Sequence, residues 1–109
     1  MYISITGIKT KSFFGMLKFM RYTLPSFTAA RKANGNLFCD SKKINNYYHT
    51  LTAWENRSKM MDYLRGKHHS LAMKNFRSIG TGSVYGYEDD LIPSWEDALK
   101  KWKENFKEI

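Results

Sequence analysis

The chain has 109 residues, of which 42% are hydrophobic and 16% aromatic, and its formal net charge is +8. This length corresponds to one ordinary domain, and the apolar fraction excludes a disordered tail. The charge brings nucleic acid into consideration, but the Lys and Arg residues are scattered without an arginine-rich run. We therefore expect a solvated basic surface rather than a nucleic-acid-binding face.

Cysteine usage and the N-terminus indicate where the chain works. Cys39 is the one cysteine, so an intramolecular disulfide is excluded and a reducing, cytoplasmic compartment is expected. Residues 1–6 alternate in polarity and lack the basic start and long apolar run of a signal peptide. No run of 18 apolar residues is present, so we expect no association with a membrane through a spanning helix.

The first third of the chain predicts a strand followed by a helix. Residues 2–8 alternate in polarity, as a half-buried strand does. Ser12 is a suitable N-cap for a helix. Pro25 either ends or kinks that helix, or opens a second short helix that runs to about Lys32. Asn34-Gly35 then predicts a left-handed stop. The helix has an apolar stripe at steps of three and four residues, formed by Phe13, Met16, Leu17, Met20 and Leu24.

The middle of the chain predicts a hairpin. Its strands are residues 36–42 and 47–54, joined by turn residues 43–46. The period of two in the second strand places Tyr48, Thr50, Thr52 and Trp54 on one face. His49 lies on the opposite face, where a structural role is expected.

The last half predicts a broken helix, a strand and a final helix. Asn56 or Ser58 caps the first of these, Gly66 interrupts it, and the pattern resumes at His68. A strand follows at residues 79–87, then the polar turn 88–90. Ser94 opens the last helix, whose apolar stripe consists of Trp95, Ala98, Leu99, Trp102 and Phe106.

The order β-α-β-β-α-β plus a terminal helix is the ferredoxin-like pattern of an α+β antiparallel sheet. We expect a single domain over residues 1–109. Helices on one face leave the other face of such a sheet open, and an apolar open face is most simply covered by a second subunit. A homodimer is therefore expected. The last helix packs either on its own sheet or on the partner subunit.

Residues 48–56 (YHTLTAWEN), followed by a helix that carries His68 and His69, resemble the dimeric α/β-barrel superfamily. The likeness is closest to its antibiotic-biosynthesis-monooxygenase-like branch, whose members carry a strand that ends in a Trp-Glu-Ser/Asn step. The resemblance implies a homodimer with a pocket in each subunit between the sheet and its helices. Its members include cofactor-free monooxygenases, haem-degrading enzymes and isomerases, so the fold does not fix the chemistry.

The haem-degrading branch resembles the chain from Trp54 through Arg77. That branch retains a Trp where Trp54 stands. Its iron-ligating His would fall near Met73, and its first-strand Asn has no counterpart in residues 2–8. The resemblance therefore disfavours haem as a cofactor unless His68 or His69 becomes the ligand. No Cys/His spacing predicts a metal site.

Each candidate site residue has a functional and a structural interpretation. His68 lies on the apolar stripe, four residues after Leu64, and is the candidate acid/base, or else a half-buried structural histidine. Trp54 either stacks on a flat substrate or closes the core. The other candidate substrate-binding residues are His69, further around the helix; Met73; and Tyr85 and Tyr87, which share one strand face and either donate a hydrogen bond or only pack.

The leading hypothesis from the sequence is a small-molecule-binding homodimer that oxidises an apolar aromatic substrate without a tightly bound cofactor. Such a substrate must itself reduce oxygen, since no redox centre is predicted. The first alternative is a non-catalytic ligand-binding or regulatory dimer, and the second is a haem-binding protein. Serine-nucleophile, phosphate-loop and dinucleotide motifs are absent from the sequence, which argues against hydrolase, kinase and dehydrogenase functions.

Overall fold

A computed structural model of the chain describes residues 1–10, 12–74 and 80–108. Within these ranges the order of elements is the predicted one with one addition, a short strand after the last helix. The interruption predicted at Gly66 separates the second helical region into two helices. The elements are β1 (Tyr2–Thr10), α1 (Phe13–Lys32), β2 (Asn36–Ile44), β3 (Tyr47–Trp54), α2 (Arg57–Leu64), α3 (Lys67–Lys74), β4 (Gly80–Glu88), α4 (Trp95–Asn105) and β5 (Lys107–Glu108).

The strands form one antiparallel sheet in the order β2-β3-β1-β4-β5. In β1, Ser4 lies opposite Thr52 of β3 on one side and opposite Gly86 of β4 on the other. This order is that of the split βαβ fold, in which the first strand lies inside the sheet. Here β1 lies between β3 and β4. The predicted α+β, ferredoxin-like class is confirmed.

The two faces of the sheet are covered by different helices. Alternate residues of β1 and β3 point to opposite faces, because successive side chains of a strand do so. Helices α1 to α3 cover one face. On the other face, α4 packs through Ala98 against a buried apolar cluster, so the last helix lies on the sheet of its own chain. The sheet residues of this cluster are Ile3, Ile5, Leu51 and Ala53.

Local signals set the helix boundaries. The Oγ of Ser12 accepts a hydrogen bond from Gly15 N at 3.1 Å, and the Oδ1 of Asn56 accepts one from Lys59 N at 2.9 Å. These contacts satisfy main-chain N–H groups that have no partner inside the helix. The predicted stop after α1 is confirmed, since Gly35 has a φ of +86°, a conformation that costs a glycine little.

Two of the predicted boundaries, in α1 and at the end of β2, differ from those observed. Pro25 lies inside α1, which neither ends nor restarts there. The residue loses one main-chain hydrogen bond, and the neighbouring packing of α1 maintains the helix on both sides. Strand β2 extends to Ile44, and the left-handed turn residue is Asn45, with a φ of 55°. The predicted start of β4 at Ile79 lies outside the described residues. Among the helices that are described, none is long and apolar enough to cross a membrane.

Candidate functional site

A cavity of about 140 Å³ lies between the sheet and helices α1 to α3. Its floor is formed by alternate residues of β1 and β3, and its roof by the three helices. No charged side chain is among the described residues that line it. The floor consists of Ser4, Thr6, Ile8, Thr50, Thr52 and Trp54, and the roof of Ser26, Phe27, Ala30, Met60, Tyr63, Leu64, His69 and Met73.

The floor of the cavity carries a grid of four hydroxyl groups. Ser4 lies opposite Thr52 and Thr6 lies opposite Thr50 across the β1–β3 pair. The hydroxyls of Thr6 and Thr50 form a hydrogen bond with one another. The grid arises because small hydroxyl residues occupy every second position on both strands, the spacing that places side chains on one face.

Trp54 is at one end of the cavity, and its indole is 1% exposed. Its Nε1–H donates a hydrogen bond to the Oγ1 of Thr52 at 3.0 Å. Its ring stacks on Tyr63 of α2, with 5.3 Å between centroids and 28° between planes. The indole therefore both fills the core beneath α2 and forms part of the cavity wall. Stacking of a flat substrate on it stays a prediction.

Tyr63 connects this aromatic wall to α1. Its hydroxyl donates to the main-chain oxygen of Ser26 at 2.7 Å, and the Ser26 hydroxyl lies 2.6 Å from the Tyr63 oxygen. Since the Tyr63 proton is already donated, Ser26 is the donor in the second bond. Burial raises the pKa of Tyr63, and the hydrogen bond with Ser26 opposes that rise. Tyr63 is therefore a neutral phenol at neutral pH.

His69 lies beside Tyr63, with the ring centroids 5.3 Å apart and the planes at 67°. Burial lowers the pKa of His69 from its ordinary value of 6.5, and a hydrogen bond with the main chain of Leu64 opposes the shift. Its imidazole is therefore neutral at pH 7. A neutral imidazole can accept a proton, which is the property required of a general base.

The other sequence-predicted residues have different locations. Met73 lines the cavity at its edge and is 39% exposed. His68 lies in α3, but its side chain is outside the described part of the structure. Tyr85 and Tyr87 lie opposite Ile5 and Ile3 in the sheet, and hence on the face that α4 covers.

Tyr85 and Tyr87 therefore do not line the cavity. Their rings stack on each other with centroids 5.5 Å apart, and the Nζ of Lys101 lies 4.4 Å from the ring centroid of Tyr87. Burial raises the pKa of Tyr87. These contacts join β4 to α4, on the other side of the sheet from Trp54.

His49 is also on the α4 face. It is 4% exposed, and its Nδ1–H donates to the main-chain oxygen of Thr6 at 3.0 Å. The edge of the imidazole meets the ring of Trp102, with centroids 4.8 Å apart. Its surroundings are those of a packed residue. The sheet face that was expected to meet a second subunit is covered at this point by a helix of the same chain.

Reasoning from the sequence missed Tyr63, Ser26 and the hydroxyl grid. The signal for Tyr63 was present, because it lies three residues after Met60 and hence on the same side of the helix. Thr50 and Thr52 had been placed on the face of Trp54, but that face had not been recognised as a cavity floor. Ser26 gave no signal, since its partner is 37 residues away in the chain.

Neither the described lining nor the volume of the cavity suits a metal ion or haem. Among the described residues, no group of three or more His, Cys, Asp or Glu side chains could hold a metal ion. A volume of about 140 Å³ is below the roughly 300–1,000 Å³ of pockets for drug-sized ligands. A haem macrocycle is larger than such ligands, so the cavity in this conformation does not fit it.

Comparison with known proteins defines the class of fold. The sequence matches no protein-family model and no curated protein. Several solved structures have the same architecture over most of the chain. The protein thus has the ferredoxin-like fold of antibiotic-biosynthesis-monooxygenase-like proteins, and the resemblance in fold is confirmed.

Three of these structures illustrate the similarity. A candidate antibiotic biosynthesis monooxygenase from Nitrosomonas europaea is 14% identical, with a TM-score of 0.72 over 84% of this chain and 100% of that one. A similar candidate from Deinococcus radiodurans is 15% identical, with a TM-score of 0.72 over 86% and 97%. SnoaB, a cofactor-independent oxygenase from Streptomyces nogalater, is 9% identical, with a TM-score of 0.67 over 85% and 97%.

Proposed function

We propose that the protein binds a small, uncharged aromatic molecule in the cavity beside Trp54 and oxidises it with molecular oxygen, without a tightly bound cofactor. The observation that carries the proposal is the cavity itself, with an aromatic wall of Trp54, Tyr63 and His69 and no charged side chain among its described lining residues. The similarity in fold to SnoaB, a cofactor-independent oxygenase, supports the chemistry.

The proposed reaction is a monooxygenation in which the substrate supplies all the electrons. A histidine removes a proton from an activated CH₂ group, and the resulting carbanion reduces O₂. Two C–H bonds are replaced by one C=O bond, and the second oxygen atom leaves as water. The substrate loses four electrons and O₂ gains four, so the reaction requires no other reductant.

We assign the proton transfer to His68, with Trp54, His69 and Met73 contacting the substrate. His69 has the properties of a base in this cavity, because it is neutral at pH 7 and lies against the aromatic wall. It is therefore the second candidate for the same role. Tyr85 and Tyr87, on the other face of the sheet, have no role in this proposal.

The test combines ligand binding with oxygen consumption. Activated aromatic CH₂ compounds are screened by oxygen electrode, and any that react are titrated against the wild type and Trp54→Leu. Since base catalysis contributes roughly 10²–10⁴-fold, His68→Ala is expected to lose at least about a hundredfold in kcat while binding is retained. Ser70→Ala, at an exposed position of the same helix, is the control. Unchanged turnover in His68→Ala rules out its catalytic role, and loss in His69→Ala then reassigns that role.

A second candidate function is ligand binding without turnover. It is favoured by the hydrogen bonds of the cavity, since the protons of Tyr63 and Ser26 are already donated within the protein and are not available to a reacting substrate. Binding that depends on Trp54, with no oxygen consumption by any ligand that binds, would support it. Haem is disfavoured by the size of the cavity, and a Soret shift on addition of haem would contradict that conclusion.

We also propose that the protein works as a homodimer in the cytoplasm. Support comes from large apolar side chains exposed on the single chain, among them Leu91 at 74%, Met20 at 51% and Leu17 at 47%. The basic surface of α1 and the acidic segment at residues 88–97 are complementary in charge. Neither nucleic acid nor a membrane is part of this proposal.

A further inference from the structure

The cavity floor contains one hydroxyl whose direction is set by its neighbour. Trp54 Nε1 is only a donor, so in the 3.0 Å contact with Thr52 Oγ1 the threonine oxygen must be the acceptor. The hydroxyl proton of Thr52 is then directed away from the indole. No side-chain or main-chain acceptor within the described residues takes this proton, and the hydroxyl lines the cavity.

Among the other hydroxyls that line the cavity, those of Tyr63 and Ser26 donate their protons within the protein. Thr6 and Thr50 share one hydrogen bond, and either can be the donor, so one of their two protons is free but its position is not fixed. Ser4 also lines the cavity, and its hydroxyl has no hydrogen-bond partner among the described residues and no fixed direction. Thr52 is the lining hydroxyl whose oxygen is held by a rigid ring while its proton remains available.

From this accounting we infer that Thr52 determines ligand specificity by donating a hydrogen bond to an uncharged oxygen acceptor, such as a ketone, on an aromatic ligand. The inference rests on the proposed binding function of the cavity. The aromatic part of the ligand lies against Trp54, Tyr63 and the apolar roof. The oxygen faces the sheet, where it satisfies the proton of Thr52.

The same geometry selects against charged ligands. Burial of a carboxylate without a cation costs far more free energy than burial of a neutral oxygen, and the described lining contains neither a Lys nor an Arg. His69 does not provide the charge, because burial keeps its imidazole neutral at pH 7. A ligand with no oxygen would leave the Thr52 proton without a partner, which also weakens binding.

Three single-ring probes separate these contributions. A cavity of about 150 Å³ holds benzene, so the single ring of acetophenone, ethylbenzene or benzoate suits the volume found here. They carry a neutral acceptor, no acceptor and a negative charge, respectively. Dissociation constants are measured by NMR titration of the ¹⁵N-labelled wild-type protein, where acetophenone is expected to bind most tightly.

The decisive variant is Thr52→Val, which keeps the shape and removes the hydroxyl. It is expected to weaken acetophenone binding about fivefold, the usual effect of one neutral hydrogen bond, and to leave ethylbenzene binding within about twofold. Thr52→Ser restores the preference. Thr81→Val, at an exposed position of β4, is the matched control and retains wild-type constants.

The outcomes also separate this inference from the proposed function. If Thr52→Val weakens acetophenone and ethylbenzene equally, the residue only shapes the cavity and the inference is wrong. It is equally wrong if benzoate binds the wild type as well as acetophenone does. If none of the probes binds the wild type at millimolar concentration, both the inference and the ligand-binding function are overturned.

Discussion

At the scale of the residue, the pH dependence of stability tests whether His49 is buried beneath α4. Burial beneath Trp102 lowers its pKa from 6.5, and the bond with Thr6 opposes the shift. The unfolded chain therefore binds a proton more readily than the folded one. The stability that the folded chain gains from a neutral His49 is therefore fully present above about pH 6.5. It declines as the pH falls from there to the lower pKa of the folded state.

We expect the free energy of unfolding, measured with urea between pH 5 and 8, to decrease below about pH 6.5. His49→Gln should remove part of this decrease. His69→Gln, which removes a second histidine with a lowered pKa, should remove another part. An unchanged pH profile in His49→Gln would show that the imidazole is not held in its neutral form by the fold.

The residues of the site were partly predictable because strand alternation is a strict rule. The sequence alone placed Thr50, Thr52 and Trp54 on one face, and these residues share the cavity floor. The same rule could have excluded Tyr85 and Tyr87, had the register between β1 and β4 been known. Register depends on pairing between residues some 80 positions apart, such as Ile3 and Tyr87, which local pattern does not specify.

At the scale of the element, the location of α4 depends on a glycine of β1. A Cβ atom built on Gly7 would lie 2.5 Å from Cζ2 of Trp102 and 3.1 Å from Cε1 of His49. The missing side chain leaves the space in which the indole lies on the strand. The apolar stripe of α4 predicted a buried helix, and this contact, together with the packing of Ala98 on β1 and β3, shows that the helix lies on the sheet of its own chain.

Gly7→Ala is therefore expected to displace Trp102 and to destabilise the protein by about 1–3 kcal/mol, the usual cost of overpacking. Hydrogen exchange should show lost protection in residues 95–105, with the β1–β3 amides affected less. Thr81→Ala, at an exposed site, is the control. Wild-type protection of α4 in Gly7→Ala would mean that the indole is not confined at this contact.

Helix boundaries show where local propensity is overruled. The caps at Ser12 and Asn56 were predictable, because they are short-range hydrogen bonds. The continuity of α1 through Pro25 was not, since proline disfavours a helix interior by about 3 kcal/mol. Burial on the sheet offsets that cost, with Ser26 and Ala30, just beyond the proline, 5% and 3% exposed.

At the scale of the whole molecule, a dimer requires a surface other than the open sheet face expected from the sequence. Helix α4 of the same chain covers much of that face. Several of the exposed apolar side chains lie on α1 and just after β4, among them Leu17, Met20 and Leu91. Helix α1 has four basic residues and no acid, whereas residues 88–97 contain five acids around Leu91 and Ile92.

These two surfaces are expected to meet across a two-fold axis, so that each acidic segment contacts the α1 of the other copy. Sedimentation at micromolar concentration should give twice the chain mass of 12.8 kDa. Moderate salt should weaken the association, because exposed charges are screened over about 8–10 Å at physiological ionic strength.

Leu91→Asp should give monomers, since it places a charge in the apolar centre of the contact. Leu37→Asp, at a residue 50% exposed on β2, should remain dimeric. A stable wild-type monomer would contradict the dimer, and a dimer that survives Leu91→Asp but not Leu37→Asp would move the interface to the β2 edge of the sheet.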